Sequence, residues 1–215
     1  MFKRLFGSGD KAPPPVTLAE VRNITVGRTV SLDTLAWDRL GDETHFKLDR
    51  DALEITAQGV VALDGGQYVH RFYTDDHVML QAMSDDAEGR ASYDFTLFIP
   101  WTSAYPPSDR ERRLWKDRLS EPVFDGAAED LPSYPRFWFA ENDLRQPPVT
   151  LWESIYDDRT ATAPYLKIFQ TCMRYARDLS GGRELMMALE MEPEGGEVTH
   201  EIMIGIPLEM GEFRA

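Results

Sequence analysis

The stretch "ALEITAQGVVALDGGQYVHRFYTDDHVMLQAM", Ala52 to Met83, holds three runs rich in β-branched and aromatic residues, broken by Asp64-Gly65-Gly66 and by Asp75-Asp76. Such runs between turn residues form an antiparallel meander. A two-residue turn at Asp75-Asp76 would set Thr74 opposite His77 and His70 opposite Gln81. The two histidines then share a face but lie roughly 13 Å apart along the ladder at about 3.3 Å per residue. One zinc ion needs each of its ligands within about 2 Å, so the pair reads as a hairpin and not as a metal site. The two aspartates are explained by turn chemistry.

Working outward, "YDFTLFIPW" from Tyr93 supplies a further strand and leads into "PPSDRERRLWKDRLS". There Ser108 or Asp109 caps a charged helix, Asp109 to Leu119, that buries Leu114, Trp115 and Leu119. Another helix is expected from Asp33, its N-cap, to Leu40, with Gly41 as the stop. The proline-rich segment from Glu121 to Val149 carries a short aromatic strand, Arg136 to Ala140. Beyond it, "PYLKIFQTCMRYARD", "RELMMALEME" and "VTHEIMIGIPLE" are joined by two Gly-Gly turns, which makes a second meander. The run "RELMMALEME" has good helix formers, but the turn residues on both sides assign it to a strand. The expected fold class is therefore α+β, mostly antiparallel β, with two meanders and a few short helices. The expected organisation is an N-terminal tip and linker over 1–16, a first β-rich lobe with helices over 17–130, and a second β-rich lobe over 131–215. A single compact domain is the alternative.

The 215 residues include 37 acidic and 23 basic side chains, a net charge of -14. That field repels nucleic acid and bare anionic membrane. A single cysteine, Cys172, excludes an intrachain disulfide and a Cys-x-x-Cys motif and fits a reducing cytoplasm. No stretch approaches the ~20 apolar residues of a transmembrane helix. The start, "MFKRLFGSGD", lacks the long apolar core of a signal peptide. Its Phe2, Lys3, Arg4, Leu5 and Phe6 form a basic, aromatic tip suited to contact with a partner or a membrane surface. The Gly-, Ser- and Pro-rich linker that follows separates it from the folded body.

Cys172 lies inside an expected strand, where a small packed residue is the simpler reading than a nucleophile. Phosphate-binding, dinucleotide, zinc-protease, hydrolase-elbow and EF-hand motifs do not occur. No catalytic residue, cofactor or metal ligand is assigned. Among the many carboxylates, Glu153, Asp157 and Asp158 in "ESIYDDRT" are the candidate ligand-binding group. Aromatic residues gathered near turns in "LFIPWTSAYPP" and "YPRFWFAEND" offer interface anchors.

The stretches "TVGRTVSLD", "GVVALDGGQYVHRFYTDDHVMLQA" and "MRYARDLSGGRELMMALEMEPEGGEVTHEIMIGIPLE", with the start "MFKRLFG", resemble the bacterial YjfK-like family of unknown function. The resemblance implies no activity. It implies a setting, since members are encoded near membrane-associating coiled-coil proteins of the phage-shock type and small membrane proteins. Envelope stress or membrane maintenance is that setting. The leading expectation is a cytoplasmic, non-enzymatic module, peripheral at the inner membrane, that docks on a membrane-associated protein. The alternative is an enzyme or small-ligand binder with a cleft between two β lobes.

Overall fold

A computed structural model describes residues 18–138 and 141–215. The chain opens with β1 (Thr29–Leu32), the one-turn helix α1 (Leu35–Asp38) and β2 (Ala52–Glu54). Four long-range strands follow, β3 (Ala57–Ala62), β4 (Tyr68–Tyr73), β5 (Met79–Ser84) and β6 (Ser92–Ala104). Helix α2 (Asp109–Leu119) and the short β7 (Val123–Phe124) and β8 (Tyr134–Pro135) lead to a second set. That set is β9 (Val149–Tyr156), β10 (Leu166–Leu179), β11 (Gly182–Pro193) and β12 (Thr199–Leu208), and β13 (Phe213–Arg214) ends the chain.

The two sets do not form an α+β arrangement of meanders. They close edge to edge into one eight-stranded antiparallel barrel, in the order β10-β11-β12-β6-β5-β4-β3-β9. The seams are β6 against β12 and β3 against β9. Turn residues announce hairpins, but the seams join strands about a hundred residues apart, and no local signal marks them. Closure removes the unpaired edges that two open meanders would expose. A small β13-β1-β2 sheet and the β7-β8 pair lie outside the barrel.

Much of the barrel wall is buried on both faces. Inward, Val61, Val69, Phe98, Leu151, Cys172 and Leu185 belong to one apolar cluster. Outward, Leu80, Leu97, Tyr175, Met186 and Ile204 pack with Ile24, Phe46 and Tyr134 from the flanking segments. This explains the run of β11, where every residue from Glu184 to Glu190 is buried. A strand covered on both faces loses its alternation and reads as a continuous apolar run, which is why "RELMMALEME" resembles a helix in composition.

The hairpin after β4 also differs from the expected register. Its loop has three residues, Asp75 to His77: the Thr74 N–H donates to the Val78 carbonyl at 3.0 Å, and His77 has φ +65°. His70 therefore pairs with Ala82 and Gln81 with Arg71. The one-residue shift removes the common histidine face: His70 is fully buried and His77 sits on the loop. Helix α1 is shorter than expected, a single turn with Arg39 as its C-cap, although Gly41 at φ +64° turns the chain where the stop was expected. Asp33 still accepts from the Leu35 N–H at 3.0 Å. Helix α2 has the expected span, and Ser108 Oγ accepts from the Glu111 N–H. Leu114 is exposed and not buried. The helix instead rests on Trp115, stacked on His200 at 4.7 Å, and on buried Leu119.

Candidate functional site

An eight-stranded barrel has an interior just wide enough for side chains or for one small ligand. Here both occur. Strand alternation turns Arg71 of β4, Gln81 of β5, Glu153 of β9 and Gln170 of β10 into the lumen, and all four are buried. Glu153 is the centre of this cluster. One of its oxygens accepts from Arg71 Nη1 at 2.7 Å and from Gln170 Nε2 at 2.6 Å, and the other accepts from the Tyr73 hydroxyl at 2.7 Å. Arg71 also donates from Nη1 to Gln170 Oε1 at 2.8 Å and from Nε to Gln81 Oε1 at 3.0 Å. Burial alone would push the guanidinium pKa down, but the adjacent Glu153 carboxylate outweighs it and raises the value. Burial, then the Glu153 charge, pushes the Tyr73 phenol far up, so Tyr73 remains a hydrogen-bond donor.

The backbone makes room for this carboxylate at Gly59. A Cβ there would fall 1.8 Å from Glu153 Oε1. An isolated glycine inside a strand often marks such a close approach, and it is the sequence signal that could have pointed to the lumen.

Above the cluster one end of the barrel opens into a pocket of about 320 Å³. Four of the chain's nine methionines, Met79, Met187, Met191 and Met203, line it with Ile155 and Leu189. Arg71 and Tyr73 form the polar floor, and His77, Asp75 and Glu201 stand near the mouth. Two thioethers touch the polar cluster: Arg71 Nη2 approaches Met187 Sδ at 3.9 Å, and Gln170 Nε2 approaches Met191 Sδ at 3.7 Å. The Glu201 carboxyl accepts from Thr199 Oγ1 at 3.0 Å, and burial raises its pKa against that hydrogen bond and the pull of His77. Methionine is unbranched and polarizable, so these walls adapt to a guest more readily than branched side chains would.

Of the three expected ligand candidates, only Glu153 faces the lumen. Asp157 and Asp158 lie in the exposed turn between β9 and β10. Asp158 there accepts from the backbone N–H and hydroxyl of Thr160, both at 2.8 Å. The structure does not bring the three together. The tip Phe2 to Phe6 lies outside the described residues. Cys172 is fully buried in the lumen, and burial pushes its thiol up to about 11 against the pull of Arg71 and Arg174. A thiol held protonated in this way is a poor nucleophile at neutral pH. Among the described residues no group of three or more His, Cys, Asp or Glu is placed to hold a metal ion, and no helix is long and apolar enough to cross a membrane.

A family model described as "Protein of unknown function (DUF2491)" matches residues 1–214. The chain belongs to the DUF2491 family. A similar curated protein is "Uncharacterized protein YjfK" of Escherichia coli (strain K12), 23% identical over 162 residues, which are 74% of this chain and 72% of that protein. No solved structure matches this DUF2491 chain.

Proposed function

We propose that this DUF2491 protein binds a small, mainly apolar molecule in the mouth of its barrel. The observation that carries this reading is the pocket itself. It is concave and lined by methionine and aliphatic side chains, with few polar groups converging at its floor, which is the usual anatomy of a ligand site. Its volume of about 320 Å³ is near the lower end of the ~300–1,000 Å³ range of such sites. The same observation favours ligand binding over the docking of an acidic surface on a membrane-associated partner, which calls for an exposed anchor patch and no enclosed cavity. Cys172 is held protonated, and Glu153 is engaged by Arg71, Gln170 and Tyr73, so binding is a better reading than catalysis.

Methionine-methyl NMR provides the test. Titration of protein labelled at its methionine methyl groups with aliphatic alcohols of six to ten carbons should shift Met79, Met187, Met191 and Met203, while Met210 stays fixed. The substitution Met191→Trp at the partly exposed mouth should fill the pocket and reduce the affinity at least tenfold. Shifts spread evenly over all methionines, or affinity unchanged in Met191→Trp, would refute the pocket.

A further inference from the structure

Charge balance inside the barrel identifies the class of guest, given the ligand-binding reading above. Besides Arg71, a second guanidinium enters the lumen from β10. Arg174 follows Gln170 and Cys172 on the inward face and pairs across the ladder with Met187. Its Nε is buried with no hydrogen-bond partner among the described residues. The charge of Arg71 and the exposed Asp94 act on it with opposite sign. Among the described residues, Arg71 and Arg174 thus face one fully buried luminal carboxylate, Glu153, whose two oxygens already accept from Arg71, Gln170 and Tyr73, while the inward-facing Glu201 is only partly buried, toward the mouth.

The unspent donor capacity of Arg71 lies beside Met187. Arg71 Nε and Nη1 have oxygen acceptors, but among the described residues Nη2 has only the Met187 thioether at 3.9 Å. A thioether is a weak acceptor. A buried guanidinium N–H left with a weak acceptor is costly, and an oxyanion is the group that guanidinium binds best. We infer that the guest is a small aliphatic carboxylate, its carboxylate replacing the Met187 thioether at Arg71 Nη2 and its chain lying among the methionines toward the mouth. The pocket volume sets the size: at about 30 Å³ per heavy atom, as for liquid water, 320 Å³ holds on the order of ten heavy atoms, so a chain of roughly eight carbons is the natural probe.

The mouth acids Asp75 and Glu201 define the rival outcome, a guest with a cationic head. Calorimetric titration of the full chain at pH 7 with octanoate, 1-octanol and octylammonium separates the cases, with Met191→Trp run in parallel. Octanoate should bind at least tenfold more tightly than 1-octanol, and Arg174→Met should narrow that gap without changing the affinity for 1-octanol. Arg174→Met removes a side chain with a buried, unpartnered Nε, so it should fold, and a circular-dichroism melt verifies this. Equal binding of octanoate and 1-octanol, or tighter binding of octylammonium, overturns the carboxylate assignment. It leaves the pocket reading intact if Met191→Trp still abolishes the binding. If none of the three probes binds, both proposals fail.

Discussion

Arg71 and Glu153 illustrate how a buried ion pair can be indispensable to its partner without being a net source of stability. Both are almost completely buried, and each would be an uncompensated charge without the other. Removing one member of such a pair typically costs about 3–5 kcal/mol, whereas replacing both with apolar residues is often close to neutral. Arg71→Met and Glu153→Met should therefore each destabilise the barrel by about 3–5 kcal/mol. The double substitution should be more stable than either single one, although Tyr73 and Gln170 lose their acceptor. Urea unfolding of the four proteins reads this directly, and additive losses would show that the two charges do not depend on each other. The pair was only half legible in the sequence. Glu153 stands out within "LWESIY", but its partner lies 82 residues earlier in "YVHRFY", where nothing separates a luminal arginine from a solvent-facing one. A polar residue inside a run buried on both faces is visible only once closure of the sheet is known.

At the scale of elements, one buried carboxylate gathers several of the bonds that tie the segment between α1 and β2 to the outer wall. Glu184 of β11, buried on the outward face, accepts from Thr44 Oγ1 at 2.6 Å, the His45 N–H at 2.5 Å, the Tyr134 hydroxyl at 2.6 Å and Arg177 Nε at 2.6 Å. It therefore joins an irregular N-terminal stretch, β8 and the barrel. Burial pushes its pKa up, but the donors, Arg177 foremost, more than offset this and hold it below the usual carboxylate range. A carboxyl with a folded value below its unfolded one contributes stability that is fully present above the unfolded pKa and is lost as pH falls through the folded one. Glu184→Gln should cost roughly 1.5–3 kcal/mol at pH 7, the scale of hydrogen bonds to a charged group. The gap from the parent protein should shrink in denaturant titrations as pH falls below the unfolded carboxyl value. A gap independent of pH would assign the loss to packing. Elements with their own punctuation, such as α2 with its Ser108 cap and the hairpins at Gly65-Gly66 and Gly181-Gly182, were readable from sequence. The Glu184 clasp was not, because it joins unpatterned loop to strand, and the register at His70 was missed because a three-residue loop with His77 at positive φ carries no glycine.

For the whole molecule, the two seams that convert hairpins into a barrel are unequal. The β6–β12 seam runs from Phe95–Leu208 to Ala104–His200, whereas the β3–β9 seam consists of Gln58–Tyr156, Gly59–Ile155 and Val60–Ser154. Cooperative units with few hydrogen bonds open at lower free energy than the core, so the barrel should breathe at the β3–β9 seam. The pocket spans that seam, for Ala57 lines it from β3 and Ile155 from β9. A guest that contacts both strands binds the closed barrel and not the opened one, and it stabilises the closed state in proportion to occupancy. Native-state hydrogen exchange should thus show the amides of residues 58–60 and 154–156 exchanging well ahead of those in β10 and β11. A pocket ligand at about 100 times its Kd should slow the seam amides by up to roughly 100-fold, equivalent to about 2.7 kcal/mol, while amides in the β6–β12 seam change less. If the seam amides exchange only together with the rest of the barrel, closure is a single cooperative unit and the guest must enter through the mouth without any parting of the wall.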